Sequence, residues 1–454
     1  MRNKNISIYH KAFFSILICS IVFSSCKKFV ELGPPPTQTV QADVFTTDAT
    51  ATSAVLGLYS SGWTNLFVGF TFYPGMMADD IKFSSTDPTY NEFNNDAISI
   101  TNSYNNNLWY YAYQQMKNIN YAIVGLTNST TLTPSVKAQL LGEAKFLRAY
   151  VYFYMVNIYG DVPLLTSDDA LANATVARTP AAQVWAQIIA DLKDAKTNLS
   201  ATYKGTFRAR VNSLGASALL ARAYLYTKDY VNAEAEATVV ISSGTYSLQT
   251  SATAFINTSN EIIWQVANTT GVSTFGANFL AATGSIPTYI MYDTLYNSFE
   301  AGDLRKTNWT GSTLVGTTTY YYVNKYKVRT GTGNEYNVCL RFAELYLIRA
   351  EARAQQNKLS DAKDDLDMIR VRAGLGVLST GLTQTQTLLA VEQERKAELF
   401  GEWGHRWFDL VRTNRATAVI GGLKPATWQA TDVLFPIPDQ QRLANTNLTQ
   451  NPGY

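Results

Sequence analysis

The sequence predicts a mainly α fold: a tetratricopeptide-like scaffold of helical hairpins that carries an irregular, loop-rich insertion with a few short strands. Three observations lead there. Ala221, Tyr224, Ala233, Ala237 and Val240 recur 129 positions later (221 to 350) as Ala350, Arg353, Ala362, Leu366 and Ile369. A charge-poor, aromatic stretch separates the two sets. The stretch Glu394–Arg412 (ERKAELFGEWGHRWFDLVR) places Phe400, Trp403, Trp407 and Leu410 at helical spacing.

The repeat comes first. Each set brackets a short polar break, Lys228-Asp229-Tyr230 and Asn357-Lys358-Leu359. Helix, turn, helix with small residues at the contact points is the tetratricopeptide pattern, because alanine lets two antiparallel helices approach closely. Residues 243–333 lie between the units as an insertion. From Gly244 to Tyr292 only Glu261 is charged. Glu261–Val266 and Tyr320–Val328 read as strands. The remainder is Gly, Ser, Thr, Asn and aromatic, which rules out an amphipathic helix, and its aromatic content favours ordered loops over disorder. Cys339, ahead of LRFAELYLIRA, reads as a small buried hydrophobe.

Before the first repeat, Asp43–Tyr59 reads as a helix and Gly62–Asn107 as ordered loop, because no helical period holds there and turn residues are dense. Leu108–Leu126 and Val136–Tyr159 read as helices, the second opened by Pro134 and closed by Gly160. Thr179-Pro180 starts the next. After the second repeat, RVRAG (Arg370–Gly374) is a helix end. Glu394–Arg412 then reads as one helix, with Glu394, Glu398, Glu402 and Arg406 four apart on a second face and Gly401 and Gly404 inside it.

Composition bounds the function. The chain has 454 residues, 16% of them charged, and a net charge of +2, which does not favour nucleic acid as a partner. Much of its 28 Tyr, 21 Phe and 8 Trp belongs to the core, but a Tyr-, Asn- and Thr-rich chain with few charges suits an extracytoplasmic surface that binds neutral polar ligands. Residues 1–25 read as a leader: Arg2, Lys4 and Lys11 precede an apolar run, Ala12–Phe23, too short to span a bilayer. Phe23-Ser24-Ser25-Cys26 is similar to the lipobox of bacterial lipoproteins, so Cys26 is expected to be acylated and to anchor residues 26–42 as a tether. Cys19 leaves with the leader and Cys26 takes lipid, so Cys339 stands alone and no intramolecular disulfide is expected.

Taken together, the chain resembles the SusD/RagB family of outer-membrane lipoproteins. The resemblance rests on GEAKFLRAYVYFYMVNIYGDVPL (Gly142–Leu164), ALLARAYLYTKDYVNAE (Ala218–Glu234), LRFAELYLIRAEARAQ (Leu340–Gln355), IRVRAG, ERKAELFGEWGHRWFDLVR, LFPIP (Leu434–Pro438) and the terminal LTQNPGY. It divides the folded part into an N-terminal portion (43–242), the insertion (243–333) and a C-terminal portion (334–454). It implies a surface nutrient-binding subunit that acts with a SusC-like TonB-dependent transporter on oligosaccharides or, in some members, peptides. It also implies that ligand contacts lie in the aromatic insertion.

Binding a neutral glycan calls for aromatic faces against C–H surfaces and polar groups for hydroxyls. Two stretches supply them, Trp63–Lys82 and Phe275–Trp309. Asp79, Asp80 and Lys82 are the expected hydrogen-bonding groups and Tyr289, Tyr292 and Trp309 the stacking groups. No catalytic residue, metal ligand or cofactor is expected. Beyond the leader His405 is the single histidine, and neither GxGxxG nor GxxxxGK[ST] occurs. Two carboxylates are enough for glycoside hydrolysis, but Asp79/Asp80 are adjacent and Glu394/Glu398 sit among basic residues, which favours structural ion pairs. A tetratricopeptide scaffold for protein partners is the alternative class; the aromatic insertion is what such a scaffold does not need. The anchor is testable: Cys26→Ala is expected to move the protein from the membrane to the soluble fraction, and unchanged membrane association contradicts acylation.

Overall fold

The computed structural model describes residues 41–454, residue 61 excepted; the leader, Cys26 and most of the tether lie outside the described residues. Helices and short breaks alternate through most of the chain. They are α1 (Asp48–Ser60), α2 (Trp63–Met77), α3 (Ser103–Asn128), α4 (Pro134–Tyr159), α5 (Ala181–Asn198), α6 (Ser213–Tyr226) and α7 (Tyr230–Ile241). After the insertion come α8 (Phe342–Gln355), α9 (Leu359–Arg372), α10 (Gln384–Leu399) and α11 (His405–Arg412).

Both repeat units are antiparallel hairpins, α6–α7 and α8–α9, and their turns match in backbone as well as in sequence. Lys228 and Asn357, at corresponding positions, both have a φ of 61°. Helix α7 packs directly on α8, so the hairpins are adjacent in space although the insertion separates them in sequence. The stack extends backwards through α5 to α4 and forwards to α10. Ala221, Ala233, Ala237, Ala350 and Ala362 are fully buried at these contacts, where small side chains let the helices meet.

Three short antiparallel pairs complete the fold: β1 (Ile81–Phe83) with β3 (Tyr289–Met291), β2 (Ile262–Val266) with β6 (Asn337–Arg341), and β4 (Thr310–Val315) with β5 (Thr318–Val323). Thus β2 of the insertion pairs with the strand that leads into the second repeat. Trp264 on β2 is fully buried among Tyr59, Trp63, Phe146 and Tyr150. The insertion therefore threads through the core.

Two local expectations fail. Residues 62–107 are not a loop throughout: α2 is helical over fifteen residues, twelve of them buried. A helix surrounded by protein shows no one-sided apolar stripe, and that stripe is what periodicity detects. Nor is Glu394–Arg412 one helix. Helix α10 ends at Leu399, and Gly401, Trp403 and Gly404 all take positive φ (66°, 49° and 65°) before α11 begins. Glycine enters that region without a Cβ penalty. At Gly404 a Cβ would lie 2.8 Å from Pro74 Cβ, so the turn is wedged against the end of α2.

Trp403 sits in this turn although its backbone is unusual for a bulky residue. It is buried, donates its indole N–H to the Val338 carbonyl at 2.6 Å, and meets Phe67, Tyr150 and Phe275 edge-on. Trp403→Ala is expected to lower stability by about 3–5 kcal/mol, read from urea denaturation; a loss below about 1 kcal/mol contradicts this packing role.

Candidate functional site

Five of the six residues singled out for ligand contact converge on the β1–β3 pair. Asp79 and Asp80 lead into β1, and Lys82 lies on it opposite Ile290 of β3. Tyr289 belongs to β3 and Tyr292 follows it, its N–H donating to the Asp80 carbonyl at 3.2 Å. Neighbouring strand residues face opposite ways. Ile81, Tyr289 and Met291 are buried, whereas Lys82 and Ile290 are half-buried on the other face. The Lys82 ammonium lies 4.8 Å from the centre of the Tyr292 ring.

The interior-facing candidates have their contacts within the protein. Tyr289 is buried and stacks on Phe72 at 4.1 Å between ring centres. Trp309 lies apart from the other five. It is fully buried, donates its indole N–H to the Ser251 carbonyl at 2.6 Å, and receives the Asn324 N–H on its own carbonyl at the foot of the β4–β5 hairpin. Neither ring presents an open face.

Asp79 is 5% exposed and accepts from Arg406 (2.6 and 3.1 Å) and Lys396 (2.8 Å). Burial alone would raise its pKa, but the hydrogen bond and charge of Arg406, followed by Lys396, outweigh burial and hold it at about 2. Asp80 is 3% exposed and accepts the Gly401 N–H; burial raises it to about 7 against that hydrogen bond, with Asp79 adding repulsion. Carboxyls with opposed shifts are the pattern of an acid–base pair. Here both are enclosed and engaged within the protein.

Other aromatic side chains do reach solvent beside this pair. The short helix Asp293–Tyr296 follows β3, and the β4–β5 hairpin lies against β3. Tyr296 stacks on Tyr321 of β5 with centres 3.6 Å apart, and Lys306 lies 4.3 Å from the Tyr296 ring centre. Both rings are half-buried. On the opposite side of β1, Phe83 stacks on Tyr90, which meets Tyr104. Sequence reasoning passed over Tyr296 and Lys306. It placed Tyr321 in a strand, but without strand pairing it could not tell which face the ring takes.

His405 is buried, its Nδ1 has no partner among the described residues, and burial together with Arg222 and Arg395 drives its pKa well below the usual histidine value. It is a neutral interior residue. Among the described residues no group of three or more His, Cys, Asp or Glu is placed to hold a metal ion. No helix among them is long and apolar enough to cross a membrane.

A family model described as "SusD family" matches residues 260–454, and one described as "Starch-binding associating with outer membrane" matches residues 28–225. The chain belongs to the SusD family. Among relatives of this SusD-family chain are two SusD-like proteins of Formosa agariphila. One is 28% identical, over 90% of this chain and 93% of its own; the other is 23% identical over the whole of both. A SusD-superfamily structure from Bacteroides vulgatus superposes with a TM-score of 0.79 at 20% identity, covering 90% of this chain and 99% of its own. A structure titled as a laminarin-binding SusD-like protein superposes at 0.75 with 25% identity, covering 89% and 99%.

The Asp79 pairs carry a pH signature. Its folded pKa lies below the unfolded value, so its contribution is complete above that unfolded value and is lost as pH falls through about 2. The difference corresponds to about 2 kcal/mol. Between about pH 5 and pH 2, wild type is expected to lose about 2 kcal/mol more stability than Asp79→Asn, measured by denaturant titration; parallel pH profiles contradict the assignment.

Proposed function

We propose that this protein captures oligosaccharides at the outer-membrane surface without cleaving them. It then passes them to a SusC-like TonB-dependent transporter and is held in place by lipid on Cys26. The observation that carries the reading is the half-exposed aromatic and lysine face beside β1–β3 and β4–β5. Tyr296 and Tyr321 supply ring surface for the C–H faces of a sugar. Lys82 and Lys306 supply donors for hydroxyls, and the Tyr292 hydroxyl both donates and accepts. Asp79, Asp80 and Tyr289 act from beneath as supports, and Trp309 holds the foot of the hairpin.

Family membership supports carbohydrate as the ligand class, since one matching model is described as starch-binding. The laminarin-binding neighbour adds a β-glucan to the polysaccharides worth testing. The non-catalytic role is supported by the enclosure of Asp79 and Asp80.

Native affinity electrophoresis against starch, laminarin and a panel of other soluble polysaccharides tests this. At least one is expected to retard the wild type, and the Tyr296→Ala/Tyr321→Ala double variant is expected to lose at least about tenfold in affinity, equal to about 1.4 kcal/mol, with its fold intact. Retardation by none of them, or an unaffected double variant, contradicts the reading.

A further inference from the structure

A cavity of about 500 Å³ opens on the helical stack between the tip of the α6–α7 hairpin and helices α8, α10 and α11. Arg395 of α10 lines it. That side chain is 2% exposed, and its Nε donates to Asp409 Oδ2 at 2.7 Å. Among the described residues its Nη1 and Nη2 have no acceptor, and the Tyr226 hydroxyl beside the same cavity has no partner either.

The acids around the cavity are already committed. Asp409 gives its other oxygen to Arg412, and both oxygens of Glu351 accept from Arg412. Glu392 gives one oxygen to Arg406 and the other to Arg415. One buried cation therefore lacks an acceptor for the outer edge of its guanidinium, the edge that forms two parallel hydrogen bonds to a carboxylate. Leaving buried donors unsatisfied is costly, more so on a charged group.

We infer that this cavity is a second ligand site, separate from the sugar face, and that it takes a carboxylate-bearing small molecule. The carboxylate oxygens bind Arg395 Nη1 and Nη2, and the Tyr226 hydroxyl donates to the same group. The cavity has room for roughly one sugar-sized or amino-acid-sized unit. Leu388 and Leu389 at its edge offer apolar surface to the remainder of the ligand.

Isothermal titration of the purified full chain tests this with three probes: D-glucuronate, glutarate and neutral D-glucose. The two carboxylates, or glucuronate alone, are expected to bind and glucose is not. Binding of both assigns any carboxylate of this size, and binding of glucuronate alone assigns an acidic sugar. Leu389 is half exposed and outside the ion pairs, so Leu389→Asp preserves the fold while placing a like charge at the mouth; it is expected to weaken binding at least about tenfold. The Tyr296→Ala/Tyr321→Ala variant is expected to bind as wild type does, which separates this site from the sugar face. No heat with either carboxylate, equal binding of glucose, or unchanged binding by Leu389→Asp overturns the inference.

Discussion

A buried charge network around Glu398 ties the insertion to the C-terminal portion of the chain. Glu398 is fully buried and accepts from Arg341 at 2.5 Å, from Arg305 at 3.2 Å and from Arg372. Arg341 also bonds Glu261 and Glu402, Arg305 bonds Asp303 and Glu394, and Arg370 bonds Glu394 and Glu300. Burial alone would raise the Glu398 carboxyl, but Arg372, Arg341 and Arg305 hold it well below the usual range. Burying such groups costs several kcal/mol per ion, and the attraction offsets this only where nearly every donor and acceptor is satisfied. The network's value lies in the segments it joins: the insertion, the strand before the second repeat, α9 and α10.

The β1–β3 pair hangs from the same junction. Past the end of α10 the chain turns through Gly401–Gly404 into α11; the Gly401 N–H donates to Asp80, and Arg406 of α11 donates to Asp79. Those contacts fix the approach to β1, and β1 fixes β3. The residues that mark the family most clearly, Glu394–Arg412, thus act on the β1–β3 pair through position: they set where Lys82 and Tyr292 stand.

The helical scaffold was legible because a close helix–helix contact demands small residues at set spacings, and both hairpins keep them. The left-handed turn residues Lys228 and Asn357 show how far the match extends. Helix α2 was not legible, since burial on every side removes its period. The kink at 401–404 was visible as two glycines but read as helix interior, because spacing alone does not report φ. At the β1–β3 pair the sidedness of the candidate residues was not legible. Strand β3 is apolar on both faces, so no alternation marks Tyr289 as inward and Tyr292 as nearer the surface. The unpaired edge of Arg395 was hidden for another reason: its partner Asp409 lies across the turn, and an absent acceptor leaves no trace in a sequence.

Hydrogen–deuterium exchange with and without a saturating, retained polysaccharide tests the central claim most directly, because it separates the binding face from the structural junction in one experiment. The account predicts new protection confined to the segments around 289–296 and 318–323. It also predicts slow, ligand-independent exchange through 394–412. Ligand-induced protection at 394–412 with no change across 289–323 would contradict it.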